Sequence, residues 1–414
     1  MKRIILLILI LSVVISAADD QSLIAIKAKK IVRVTGSVVE NGIILIRAGR
    51  IEKIGKGFTI PSGYLLYDYS EHSVYPGIIN LMTHLGVSGI SRVREWHDYR
   101  ETGKYNPHIS VHTAFYPWGN LIPVTREFGT LMVLSVPSGG IISGKAALVS
   151  LNGWVPEDMF VKREAALVIR LPRSPKKKDK QKKGEVQVLS KDKRELREFI
   201  SKAYQYFRGS SNRRNIPTYE AMKEIWSAGL PVIVAADSKP DIKFAIQLGK
   251  DFRLNLILFG VYEAESIGKE ICESGVPVIL SSMYNRNQKW EHGYDKVYRL
   301  PAALYRAGVK FAFSTRYAAT AFDLPIQAAR AVAYGLPAEE ALKALTLYPA
   351  QIMGLKDYGS IEENKIADLV IADGDLLETS TSVKAVFIKG QLVKSKSFFG
   401  KEYMRARNKI SGEF

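Results

Sequence analysis

The rhythm of hydrophobic and polar positions changes along this chain. From residue 23 to 75, short apolar runs alternate with polar positions and break at glycines: "LIAIKAKKIVRVTG", "GIILIRAGRIEKIG" and "YLLYDYSEHSVYPG". Period-two alternation marks half-buried strands, and a glycine at each break suits a small antiparallel sheet. The same pattern returns in "IADLVIADGD" and "VKAVFIKGQLVKS", ending near Ser397. Both chain ends are therefore β-rich and can pair as one module.

The middle has another period. After Ile216, apolar strands alternate with amphipathic helices: helix "YEAMKEIWSAG", strand "PVIVAA", helix "PDIKFAIQLGKDF", strand "LNLILFG", helix "EAESIGKEICESG", strand "VPVILSS", helix "RLPAALYRAG" and strand "VKFAFST". Gly229, Gly275 and Gly308 stand where helix C-caps belong. Strands this apolar are buried on both faces, as in a parallel sheet. With "GIINLMTH" and "GTLMVLSVP" they predict a TIM-type barrel whose working face lies at the C-terminal strand ends. A doubly wound open sheet is the alternative.

The N-terminus reads differently again. "MKRIILLILILSVVISAADD" has a basic start, an apolar run from Ile4 to Ile15 and small residues up to Ala18. That is the layout of a secretory signal peptide cleaved after Ala18. The run is shorter than the roughly 20 residues a span needs, although an uncleaved anchor stays open. The expectation is an exported, soluble protein, periplasmic or extracellular. At 414 residues, 47% hydrophobic and 24% charged, the chain is globular rather than disordered. Cys272 is the single cysteine, which excludes an intramolecular disulfide, and its helical spacing from Ile267 and Ile271 predicts a small buried hydrophobe.

The net charge of +18 is large, and one segment carries about a third of the excess. Between Arg173 and Glu198 there are eleven Lys or Arg against five Asp or Glu. The centre of that segment, "PKKKDKQKKGE", has no apolar residue and predicts a solvated loop. It could touch an anionic envelope surface. It lacks the interleaved aromatics that stack bases, so no nucleic-acid partner is expected.

The chain resembles the amidohydrolase superfamily, in its imidazolonepropionase-like branch. "AGRIEKIG" followed by "YPGIINLMTHLG" is similar to the family's β-sandwich lead-in and first barrel strand, PG-[LIF]-I-D-x-H-x-H. "LTLYPAQIMGLKDYGSIEENKIADLVIADGDLL" resembles its closing signature, with Asn364 in place of a glycine. "LIPVTREFGTLMVLSVPSGGIISGKAALVSLNGWVPEDM" also looks like one branch of the family. The resemblance implies an α/β chain: a TIM-type (β/α)8 barrel flanked by a small β-sandwich built from both chain ends. The expected layout is a signal peptide over 1–18, sandwich over 19–75 and 366–397, barrel over 76–365 with the Lys-rich loop 173–198, and a tail over 398–414.

Superfamily members hold one or two divalent metals in the barrel mouth. Their ligands are His-x-His on strand one, Lys or Glu on strand four, His on strands five and six, and Asp on strand eight. By resemblance, this chain has Met82 before His84 on strand one, Ala235 on strand five, Phe259 on strand six and Arg316 on strand eight. The strand-four position stays unplaced. A catalytic zinc needs about three donors. Alanine and phenylalanine donate nothing, and a thioether suits copper(I) better than zinc. A guanidinium is always charged, and at Arg316 it adds repulsion where a dication would sit. It could instead hold an anion or a buried carboxylate such as Asp237. The expectation is a metal-binding strand whose ligand set is degenerate, with no metal and no cofactor.

Other motifs are weaker. "HISVH", His108 to His112, has the spacing of a helical zinc pair, but Ile109 stands where a metalloprotease needs glutamate. His97 adjoins Asp98 and reads as a surface residue, and His84 as a hydrogen-bonded core residue. "GGIISGKA", 139–146, matches a phosphate loop until Ala146, where Ser or Thr is required, and a strand rather than a helix follows.

Three functions stay open. The first is a non-catalytic barrel that binds a small-molecule or anionic ligand through His84, Ser138, Gly139, Lys145, Asp237 and Arg316. The second, implied by the resemblance, is hydrolysis of non-peptide carbon–nitrogen bonds in cyclic amides. There His84 or Asp237 would activate water, and Lys145 or Arg316 would stabilise the oxyanion. The third is attachment to anionic surfaces through the Lys-rich loop.

Overall fold

The computed structural model describes residues 23–89, 93–172, 190–209, 215–284, 293–394 and 396–411. The leader, most of the Lys-rich loop and His292 lie outside the described residues. The strands sort into two sheets.

The first sheet takes strands from both chain ends. β1 (Leu23–Ile31), β2 (Val39–Arg47), β3 (Arg50–Gly55) and β4 (Leu65–Pro76) come from the N-terminal side. β13 (Leu369–Ala372), β14 (Val383–Ile388) and β15 (Gln391–Leu392) come from the C-terminal side. The order β15-β14-β13-β4-β1-β2-β3 joins the two groups through an antiparallel pairing of Leu369 with Pro76 and Ile371 with Val74. Alternate residues Ile24, Ile26, Ile44 and Ile46 enter its core with Phe387.

The second sheet is an eight-stave barrel: β5 (Ile78–Thr83), β6 (Thr130–Ser135), β7 (Ile142–Ser150), β8 (Phe160–Arg170), β9 (Val232–Ala236), β10 (Leu256–Gly260), β11 (Val278–Leu280) and β12 (Phe311–Ala312). A parallel bridge between Thr83 and Arg316, just beyond β12, joins the first stave to the last. Asn80 ties the same seam from below. Its Nδ2 donates to Thr315 Oγ1 at 2.8 Å, and its Oδ1 accepts from the Thr315 amide at 3.2 Å.

One stave runs backwards. β7 is antiparallel to both β6 and β8, whereas the other staves are parallel to their neighbours. A loop connects β6 to β7, and a loop with one short helix, Pro156–Met159, connects β7 to β8. Alternation on β7 still holds: Ala146 and Leu148 face the barrel interior, while Ala147 and Val149 pack outward under Phe115 and Ile122. From β8 onward the helix-strand rhythm is regular, through helices including Lys191–Arg208, Lys239–Phe252, Lys296–Arg306 and Leu324–Ala333. Gly229, Gly275 and Gly308 have left-handed φ of 66°, 69° and 77°, as their C-cap positions require.

Three expectations change. "YEAMKEIWSAG" forms two short helices, Pro217–Glu220 and Glu224–Ser227, in place of one long one. Cys272 is exposed, not buried. The chain's tail is a helix, Phe398–Ser411. Among the described residues no helix is long and apolar enough to cross a membrane.

Candidate functional site

The C-terminal strand ends bring one ring of residues together. Register places Arg170 of β8 opposite Ala235 of β9, and Ala235 opposite Phe259 of β10. Across the closing seam, Met82 and His84 flank Thr83, which bridges Arg316. Met82, His84, Arg170, Ala235, Phe259 and Arg316 line a single cavity with Val136, Pro137 and Val168. The four positions named by motif resemblance thus converge, and the strand-four position is filled by Arg170.

The lower part of this cavity is closed by hydrocarbon. Met82, Ala235 and Phe259 join the apolar cluster that fills the barrel, with Leu134, Val168, Ile233, Ile257 and Ile279. The space left is ≈ 10 Å³, about one water. Met82 and Arg316 hold left-handed backbone, with φ of 65° and 63°, and Val261, just past β10, has φ of 52°. Non-glycine residues at such angles store about 1–3 kcal/mol each and cluster at binding and catalytic sites.

Above the hydrocarbon the mouth opens into a cavity of ≈ 350 Å³. His84, Tyr99, Arg100, Ser138, Gly139, Gly140, Arg170, Arg316 and Tyr317 line it. Among the described residues that line it there are three guanidiniums and no carboxylate. Arg170 donates from a guanidinium nitrogen to Ser138 Oγ at 2.5 Å. Arg316 lies over the Tyr317 ring, 5.5 Å from its centroid. Among the described residues, neither Arg100 nor Arg316 has a carboxylate within ion-pair distance. Gly139 and Gly140, at φ 101° and 60°, meet the passing 101–104 backbone so closely that a Cβ would lie 2.6 Å from the Glu101 and Gly103 carbonyls.

His84 is buried and fixed. Its Nδ1 donates to the Val136 carbonyl at 2.9 Å, and its ring stacks on Tyr99 with centroids 4.2 Å apart. Burial pushes its pKa down to about 4, and the Arg170 and Arg316 charges push the same way against the Val136 hydrogen bond. The imidazole is therefore neutral at pH 7, with Nε2 as its basic nitrogen.

The divalent metal that the fold family implies is not matched by these residues. The ring offers one imidazole and one thioether beside two fixed cations. Among the described residues no group of three or more His, Cys, Asp or Glu is arranged to hold an ion. His108 and His112 do not share a helix, since only Val111–Thr113 forms a 3-10 turn, and His112 Nδ1 instead meets Ser110 Oγ at 2.7 Å.

Two expected ligand contacts lie elsewhere. Lys145 falls on the outward face of β7, where its Nζ bonds Glu164 at 2.5 Å and Glu224 at 3.3 Å. Position 145 has the opposite parity to the inward-facing Ala146 and Leu148, so it cannot reach the mouth. Asp237 lines a separate cavity of ≈ 60 Å³ with Gly260, Tyr262 and Ser282, outside the ring, and is not the partner of Arg316. Arg100 and Arg170 were missing from the sequence-based set. The signal for Arg170 was present in "AALVIR", an apolar run ending in one charge, as a strand ending at a barrel mouth does.

Residues 220–393 match the amidohydrolase family. No curated protein matches the chain. Among solved structures, an amidohydrolase from Thermotoga maritima MSB8 superposes with a TM-score of 0.80 at 24% identity, over 90% of this chain and 100% of that one. Molinate hydrolase gives 0.57 at 14% identity, over 90% and 95%. An adenosine deaminase from Xanthomonas campestris, with bound zinc, gives 0.52 at 17%, over 94% and 98%. Likeness at these identities fixes the fold alone. The match over residues 220–393 and the likeness to these structures show an amidohydrolase-like fold, a barrel with a sheet built from both chain ends.

Proposed function

We propose that this chain is a metal-independent, non-catalytic binding protein on an amidohydrolase scaffold, and that its barrel mouth takes a small anion. The carrying observation is the convergence of Arg100, Arg170 and Arg316 on a mouth with no carboxylate among its described lining residues, above an interior filled by Met82, Ala235 and Phe259. Guanidiniums hold carboxylate, sulfate or phosphate groups by charge-assisted hydrogen bonds of about 1.5–3 kcal/mol each. A cavity of ≈ 350 Å³ fits a small molecule.

Elemental analysis of the purified protein, followed by calorimetric titration with sulfate, phosphate and succinate, tests this. Little bound metal is expected, together with binding of at least one anion. That binding should weaken about tenfold or more in Arg170→Ala and in Arg316→Ala. Stoichiometric zinc, manganese or iron overturns the proposal, as does indifference to all three anions.

A second reading is hydrolysis of non-peptide carbon–nitrogen bonds, and one observation favours it. The Val136 carbonyl fixes His84 as the tautomer whose Nε2 is basic, beside two guanidiniums that could stabilise an oxyanion. A base works best with a pKa near the operating pH, and about 4 is far from it. Turnover of a cyclic-amide panel by metal-free protein, lost in His84→Gln, would carry this second reading.

Export is supported by the leader-like segment 1–18. N-terminal sequencing of protein from the cell envelope or medium should begin just after Ala18. A cytoplasmic protein that retains Met1 contradicts export.

A further inference from the structure

We propose that the C-terminal helix, Phe398–Ser411, is a docking element for an anionic lipid surface. The helix starts where Ser397 is fastened to Glu127: its amide and its Oγ both donate to that carboxylate at 2.6 Å, and Ser397 Oγ accepts the Gly400 amide at 3.0 Å. From Lys401 onward every described residue of the helix is exposed. A 14-residue helix is marginal in water without a packing partner. This one has a face prepared for such a partner.

Phe399, Tyr403, Ala406 and Ile410 recur at i, i+4, i+7 and i+11, which places them in one narrow stripe. Phe399 and Tyr403 are about two-thirds exposed and Ile410 is 89% exposed. Lys401, Arg405, Arg407 and Lys409 occupy the remaining circumference against the one carboxylate of Glu402, which lies 3.8 Å from Arg405. An apolar stripe flanked by cations is the composition of a helix that lies in a lipid interface.

Two further observations select lipid over a second copy of the chain. The helix is strongly positive and so is the whole chain, at +18, so two copies repel. The short helix that receives Ser397, Leu121–Glu127, is preceded by a second exposed aromatic patch. Tyr116 and Trp118 meet edge-on at 5.7 Å, and Trp118 and Trp154 at 6.4 Å, with Trp154 77% exposed. Tyr and Trp are the residues enriched at headgroup level. The loop that carries Trp154 leaves β7 at the end opposite the arginine-lined mouth, which leaves the mouth clear of such a surface.

The single cysteine allows a local readout on the full-length chain. In a Cys272→Ser background, Tyr403→Cys is labelled with a polarity-sensitive dye and mixed with vesicles of phosphatidylcholine alone or with 30% phosphatidylglycerol (about 30%, enough for a marked negative surface potential). The dye should shift to the blue only with the anionic vesicles, and salt should reverse the shift. Lys401→Gln, Arg405→Gln and Lys409→Gln should each weaken the response about fivefold, and together about a hundredfold. No shift, or an equal shift with neutral vesicles, overturns the proposal. A shift without lipid that rises with protein concentration, alongside a doubled mass by light scattering, assigns the stripe to a second copy and also overturns it.

Discussion

At the scale of single residues the barrel mouth combines strain with charge. Arg316 has a left-handed backbone, and its guanidinium shares a cavity with Arg170 and the neutral ring of His84. Both features cost stability, so a residue that serves the ligand should be one the fold gains by losing. Arg316→Gly is expected to raise unfolding stability by about 1 kcal/mol in urea titration while sulfate affinity falls tenfold or more. A variant that is less stable, with affinity intact, would contradict the role given to Arg316. His84 adds a pH dependence with a defined sign. Its folded pKa, about 4, lies below its unfolded value near 6.5, so below pH 6.5 the unfolded chain binds more protons. Its contribution is complete above pH 6.5 and is lost as pH falls to about 4, by up to about 3 kcal/mol. Asp368 opposes it: burial raises its carboxyl to about 6, so its effect on stability grows worse as pH rises from about 4 to 6. Comparing wild type with His84→Gln between pH 4 and 7 isolates the histidine, and the wild type should lose stability more steeply toward acid. Equal slopes would mean that His84 titrates normally. Anion affinity rests on guanidiniums and should stay flat from pH 5 to 9 with sulfate.

At the scale of elements, the reversed stave explains both a false motif and a missed residue. The glycines of "GGIISGKA" look like a phosphate loop, yet Gly144 lies inside β7, where a Cβ would sit 2.7 Å from the Ile109 carbonyl at φ 128°. The glycine is there because the 105–110 segment crosses β7 closely, with bridges from Tyr105 to Ile142 and from Ser110 to Lys145. Gly144→Ala should cost about 2 kcal/mol or more, read as a lowered urea midpoint, because backbone meets backbone there. Stability unchanged within about 0.5 kcal/mol would show that the crossing is not tight. The strands flanked by helices were legible because period and punctuation agree: each of β9 to β12 follows a helix and precedes another. β8 was not, because only the four-residue helix Pro156–Met159 leads into it from the reversed β7, and an apolar run without a long amphipathic helix before it has no parallel-sheet signature. Losing β8 from the pattern left strand four unassigned, and with it Arg170. Lys145 was misplaced for a related reason. Its face depends on the parity of β7, which no motif fixes until the strand register is known.

At the scale of the whole molecule, the residues that hold the fold together are not those that line the barrel mouth, and that separation can be tested directly. Fold and ligand set are specified by different residues. Barrel closure depends on Asn80 with Thr315, and the terminal sheet on the pairing of Leu369 with Pro76, while the ring at the mouth is six side chains at strand ends. Motif resemblance found Met82, Ala235, Phe259 and Arg316 because each stands at a fixed distance from a recognisable strand, and register brings all four to one cavity. If those positions are the places of the missing donors, restoring donors should restore an ion site without disturbing the barrel. The quadruple variant Met82→His, Ala235→His, Phe259→His and Arg316→Asp returns three imidazoles and a carboxylate beside His84, more than the three ligands a catalytic zinc requires. Gain of volume at Ala235 is offset by loss at Phe259, next to it in register. The variant should bind one zinc per chain by elemental analysis after dialysis, while the wild type and a control carrying only Arg316→Asp should not. Zinc should raise its melting temperature, since an ion bound only to the folded state stabilises it. Sulfate affinity should fall, because one of the three guanidiniums has become a carboxylate. A folded quadruple variant that ignores zinc would mean that these residues are neighbours without being the donor positions, and the anion-binding proposal would then rest on Arg100, Arg170 and Arg316 alone.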